Sequence, residues 1–244
     1  MMRIPVLVCV LCAAAPASAD VVGIARRLAD DQAFTPGMLR ANAGDEKGFV
    51  VAATNWSNAA DNDVTLDAIG EVHVWGPVRL IASVANAFGD NAKPGIGAGV
   101  QLLREGKHGL DGTAYARFKT EGFTEPEGEL EVAFAVARRF GAVHGGLDIT
   151  YGQDPEGNER DGELATAAQL ELRPGLFAGA AARYRDALGS TKEAVARDGF
   201  GGASTTWTLG PVAVTGMAGV AMVQAVGATR KFGPAATLAI GAAF

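Results

Sequence analysis

From about residue 47 to the end, apolar residues alternate with polar or small ones in segments of about ten residues, the period of strands with two unlike faces. In Glu129 to Phe140, Leu130, Val132, Phe134, Val136 and Phe140 share one face. Glu129, Glu131, Ala133, Ala135, Ala137 and Arg139 share the other. Likewise Leu164, Thr166, Ala168, Leu170 and Leu172 oppose Glu163, Ala165, Ala167, Gln169 and Glu171. Such segments fall near 47–56, 63–75, 77–88, 95–105, 111–121, 128–139, 142–152, 162–173, 176–186, 200–209, 212–224 and 235–244. An even number of strands is what an antiparallel up-and-down barrel needs to close with its ends together. Two stretches resist this reading, because the Ala-rich runs Leu176 to Leu188 and Pro211 to Val226 also suit helices.

The joins alternate in length. Trp75-Gly76-Pro77, Arg139-Phe140-Gly141, Arg173-Pro174-Gly175 and Leu209-Gly210-Pro211 are tight, and Gly106 to Gly109 is slightly longer. Phe88 to Lys93, Phe123 to Glu127, Gln153 to Asp161 and Ala187 to Gly199 are longer and polar. Short turns at one end and longer loops at the other are the habit of a transmembrane β-barrel, with the short side and both termini periplasmic. Aromatic residues gather at both ends, Phe88, Phe123, Tyr151, Phe200 and Phe232 at one and Trp75, Phe140 and Phe244 at the other. Tyr115, Phe118, Phe134, Tyr184 and Trp207 fall mid-strand.

Charge placement sharpens the assignment, because a charge facing lipid near the midplane costs about 2–4 kcal/mol while one facing the lumen is tolerated. The alternation puts Arg79, Arg117, Lys119, Glu129, Glu131, Arg139, Asp148, Glu163, Glu171, Arg183 and Arg185 opposite the apolar face, with Asp67 and Glu71. These are the candidate lumen-lining residues. Arg138 is the exception, at a strand end where a long side chain reaches headgroups.

Ahead of the alternating region, Met1 to Ala19 has the layout of a secretory signal peptide: Arg3, an apolar run from Ile4 to Ala15, and Ala17-Ser18-Ala19 before Asp20. Both cysteines, Cys9 and Cys12, lie inside it, so the expected mature chain has no disulfide, thiolate nucleophile or Cys metal site. Residues 20–46 form a separate segment in which Val21, Val22, Ile24, Ala25 and Leu28 read as a short amphipathic helix before Pro36. It is expected to plug the lumen, to dock on a rim or to stay a free leader. With 27 acidic residues against 21 basic ones, the chain lacks the basic surface that nucleic acid requires.

The last strand carries the one family resemblance. Leu238-Ala239-Ile240-Gly241-Ala242-Ala243-Phe244, alternating and closed by a terminal Phe, resembles the C-terminal signature of bacterial outer-membrane β-barrel proteins. The resemblance implies a porin-like barrel over residues 47–244 in the outer membrane of a Gram-negative cell. It also implies lipid neighbours and delivery through the barrel assembly machinery, with Phe244 in the assembly signal.

Signs of chemistry are sparse. His73, His108 and His144 all map near short-turn strand ends, away from the rim where lipid-modifying barrel enzymes work. No Gly-x-Ser-x-Gly, zinc-type His pair or Gly-Lys-Ser/Thr phosphate loop occurs, and no cofactor or metal is expected. Gly95, Gly97 and Gly99 lack the spacing of a dinucleotide fingerprint and read as small residues in a barrel wall. The acidic loop Asp154 to Asp161 lacks the order of an EF-hand. Glu129 and Glu131 point together into the lumen, where Arg117 and Lys119 are their natural partners. The expected function is a small passive channel for polar solutes. The alternatives are a non-conducting structural or surface-interaction barrel with a salt-bridged lumen and, less favoured, an outer-membrane lipid hydrolase.

Overall fold

The computed structural model describes residues 41, 47–60, 63–89, 92–120, 127–157, 159–188, 197–224 and 228–244. The signal peptide, the helix expected before Pro36 and Phe123 lie outside the described residues. Twelve strands run in chain order: β1 (Gly48–Ser57), β2 (Asp63–Trp75), β3 (Val78–Ala85), β4 (Lys93–Leu103), β5 (Asp111–Thr120), β6 (Gly128–Phe140), β7 (Val143–Gln153), β8 (Arg160–Arg173), β9 (Leu176–Ala187), β10 (Arg197–Leu209), β11 (Val212–Gln224) and β12 (Lys231–Ala243). A one-turn helix, α1 (Glu105–His108), joins β4 to β5.

Each strand pairs antiparallel with its sequence neighbours, and β1 closes the sheet on β12 in a register running from Phe49 opposite Ala243 to Ser57 opposite Ala235. Closure leaves no strand edge unpaired. It is tied off where the amides of Lys47 and Gly48 donate to the Phe244 carbonyl at 2.8 and 3.0 Å, so the ends of the barrel chain meet at the short-turn rim. The Ala-rich runs are strands β9 and β11 rather than helices, because each is hydrogen-bonded along its length on both sides.

Local chemistry explains the tight end. Gly76 and Gly210 hold φ of +55° and +63° and each precedes a proline. Proline's fixed φ near −65° forbids the second left-handed residue of a type I′ turn, which leaves the type II′ hairpin that suits strand twist. Register shifts between His73 and Trp75, Gln101 and Leu103, and Glu171 and Arg173 all sit at this rim, where bulges let barrel strands end.

Burial alternates residue by residue and turns the usual globular arrangement inside out. Val132, Ile149 and Leu238 are 51%, 53% and 54% exposed on the outer wall, while their neighbours Ala133 and Ala239 are buried. An apolar band this continuous on an outer surface fits contact with lipid rather than water.

Two sequence expectations need correcting here. Phe200 does not join the outer aromatic ring, because it pairs with the inward-facing Arg183 and Ala221 and so turns inward against buried neighbours. Conversely, Tyr184 and Trp207 are outward and near opposite rims, so both add to the rings formed by Tyr151 and Phe232 at one end and Trp75, Phe140 and Phe244 at the other.

Candidate functional site: a tiered barrel interior

The inward side chains form three tiers between the rims. Nearest the short turns is a closely packed floor. Arg79 donates from one terminal nitrogen to Glu71 at 2.7 Å and contacts the Tyr115 hydroxyl at 3.5 Å, and its other terminal nitrogen donates to Thr113 at 3.4 Å. Tyr115 in turn donates to Glu71 at 3.4 Å, so a guanidinium only 1% exposed is held by a carboxylate and two hydroxyls. Across the floor, Gln169 donates to Ser204 at 3.0 Å and Thr206 at 3.2 Å, and the hydroxyls of Thr206 and Thr215 lie 2.9 Å apart. His144 and Phe177 meet edge to face at 5.1 Å, with Glu171 3.9 Å from the imidazole.

The second tier is made of small residues. Ala133, Ala135, Ala165, Ala167 and Ala181 face inward beside the inward glycines of β4, β7, β9, β10 and β11. At Gly99 the smallness has a direct cause, since a Cβ there would stand 2.5 Å from the Tyr115 ring. The ring lies over bare backbone of β4, which lets the hydroxyl reach the floor. The Gly95, Gly97 and Gly99 series is thus a slot in the wall.

Above it, toward the longer loops, the third tier carries the charges. Arg117 is ion-paired with Glu131, and Lys119 reaches Glu131 at 2.5 Å and Glu129 at 3.1 Å. The β5–β6 register imposes this, placing Arg117 opposite Glu131 and Lys119 opposite Glu129. Two strands further round, Arg183 spans Glu163 at 2.9 Å and Asp198 at 3.2 Å, and Arg185 pairs with Asp161. Asp67 accepts from Asn55 at 2.7 Å and the Asn86 amide at 2.8 Å. All of these groups but Glu129 and Asn86 border a cavity of about 400 Å³ whose quieter wall is Val51, Ala53, Met217, Ala221, Ala235 and Ala239.

The residues singled out from the sequence therefore fall in two places. Arg117, Lys119, Glu129, Glu131, Glu163, Arg183 and Arg185 gather in the charged tier. Arg79, Glu171, Arg139 and Asp148 do not reach the cavity: Arg79 and Glu171 belong to the floor, Arg139 lies opposite His144 near the short turns, and Asp148 is buried beside Thr150, whose hydroxyl donates to it at 3.3 Å. Asp161, Asp198 and Lys93, which the turn pattern alone places in loops, also line the cavity. Extending the alternation by one step, from Glu163 to Asp161 and from Phe200 to Asp198, would have found two of them.

Ala41 is the described residue ahead of β1 that enters the barrel. It is buried against Ile81 and Tyr115, and its carbonyl accepts a 2.8 Å hydrogen bond from Thr113.

No group of three or more His, Cys, Asp or Glu side chains suited to a metal occurs among the described residues. No family model matches the chain. No curated protein matches it either. Among solved structures it is similar to the NanC porin, with a TM-score of 0.54 at 5% identity over 79% of this chain and 98% of that one. It is similar also to an outer-membrane channel from Pseudomonas putida F1, with a TM-score of 0.54 at 10% identity over 83% of this chain and 99% of that one. At these identities the likeness is one of fold. The architecture is that of a porin-like β-barrel, closed by twelve antiparallel strands.

Proposed function

We propose that the chain is exported by its N-terminal signal sequence, inserts in the outer membrane with its short turns in the periplasm, and serves as a narrow passive channel for small polar solutes. The observation that carries this reading is the charged tier around the cavity. Ion pairs of both signs border about 400 Å³ of interior space instead of collapsing into an apolar plug, the lining expected where hydrated solutes pass. Because Arg117, Lys119, Arg183 and Arg185 stand beside Glu129, Glu131, Asp161, Glu163 and Asp198, the opposing charges nearly cancel and favour weak ion selectivity. The reading is not enzymatic: the described histidines lie at the short-turn end, away from the cavity.

A second reading has its own observation. The floor contains Arg79, Phe177, His144, Gln169, Thr113, Thr206 and Thr215, all under 2% exposed, which suits a barrel closed at one end that contacts partners through its surface. Single-channel conductance of the refolded chain from residue 20 separates the two. Steps in a planar bilayer support the channel, and silence from an inserted barrel leaves the closed reading. Since Ala41 lies against the floor, the same recording is made on a form starting at residue 47; steps only in that form make the segment ahead of β1 a plug.

A further inference from the structure

The outer wall is uneven at the long-loop rim. Arg197 of β10 is in register with Gln224 of β11, and Arg230, just before β12, continues the same row because Val223 pairs with Lys231. Adjacent strands lie about 4.8 Å apart, so the two arginines start about 10 Å from one another. Arg160 of β8 is also outward, because Asp161 is buried inside, but it stands two residues nearer the loops than this row, whose β8 member is Gly162 opposite Asp186.

One step toward the membrane, the same strands change character. Tyr184 on β9, Met222 on β11 and Phe232 on β12 lie in one register row through Gly199, where a Cβ would stand 3.2 Å from the Tyr184 ring and 3.7 Å from the Met222 methyl. An apolar shelf therefore underlies a basic row. The one acid in the row is Asp186, which accepts from Tyr184 at 2.8 Å and pairs with Arg197 at 2.5 Å. Among the described residues no acidic side chain is paired with Arg160 or Arg230. No outward Lys or Arg stands at the long-loop ends of β1 to β7 among the described residues, so the feature is confined to one sector.

We propose that the β9 to β12 sector of this rim binds a multiply phosphorylated glycolipid of the outer leaflet, with Arg197 and Arg230 at its phosphates and Tyr184, Met222 and Phe232 along its acyl chains. The proposal rests on the outer-membrane reading. Cations in a row about 10 Å long match a headgroup with two separated phosphates better than a phospholipid with one. Each cation near an anionic lipid surface adds to binding, and an apolar step beneath it fixes the depth at which the lipid sits.

The test is lipid retention by the refolded barrel in neutral detergent, counted by native mass spectrometry against bis-phosphorylated lipid A, its monophosphoryl form and phosphatidylglycerol. Lipid A with two phosphates is expected to bind about tenfold or more tighter than phosphatidylglycerol. R197Q/R230Q is expected to abolish that preference, whereas R138Q/R173Q at the opposite rim keeps it. R230Q alone, which breaks no ion pair among the described residues, is expected to weaken binding severalfold and covers the case in which the double variant fails to fold. Equal binding of phosphatidylglycerol, or unchanged lipid A binding in R230Q and R197Q/R230Q, overturns the proposal. A chain that stays monodisperse in buffer without detergent overturns the membrane reading itself, a result distinct from a detergent-dependent barrel that ignores lipid A.

Discussion

Glu131 is the carboxylate on which two cations converge, with its side chain 7% exposed between Arg117 and Lys119. Its replacement by Gln leaves the same shape and removes one negative charge from the cavity wall. E131Q is expected to lose about 1–3 kcal/mol of stability, because two cations lose a buried partner, and to shift selectivity toward anions. The reversal potential in a salt gradient checks the second effect and urea unfolding in lipid the first. At Gly99 the constraint is one of space. Any side chain there pushes the Tyr115 ring off β4 and its hydroxyl away from Glu71 and Arg79. G99V is expected to destabilise the barrel by about 1–3 kcal/mol, seen as a lower temperature for losing the compact form on an SDS gel.

Within a strand, function divides by parity. Ile149 and Thr150 are neighbours on β7, one 53% exposed on the outer wall and the other bordering the cavity. I149K is expected to cost about 2–4 kcal/mol and T150K much less, because only the first lysine must be held in lipid. Equal costs, measured by unfolding in bilayers, would invert the face assignment. The turns follow similar local logic. A type II′ turn built on Gly210-Pro211 fixes the β10–β11 register from Leu209 opposite Val212 to Arg197 opposite Gln224, while the separate β9–β10 register sets Asp198 opposite Arg185. A slip of one residue would exchange every inward side chain for an outward one.

For the whole molecule, closure between β1 and β12 is the decisive contact. The Phe244 carbonyl takes two amides from the start of β1, and its ring stands over Gly48, where a Cβ would come within 2.4 Å of it. We expect F244A to reduce the amount of folded barrel assembled in cells much more than it lowers the stability of barrel refolded from urea, because the proposed assembly signal acts before closure. Heat-modifiable mobility of membrane fractions beside refolded material checks this, and equal losses in both would make Phe244 a packing residue only.

The alternation from residue 47 onward was enough to determine strands, their even number and the two unlike rims. Period-2 patterning is local, and a sheet with one face in lipid must display it in every strand. Turn glycines and prolines marked the short rim for the same local reason. The tertiary structure alone decided which inward residues meet. It separated Arg79 and Glu171 in the floor from Arg183 and Glu163 in the charged tier, brought Ala41 beside Thr113, and showed Gly99 to be the bed of Tyr115. These facts depend on the stagger between strands distant in sequence, which a sheet acquires only by closing on itself. Strand ends were the least legible part, since polar residues such as Asp161 and Asp198 suit a loop and a water-facing lumen equally well.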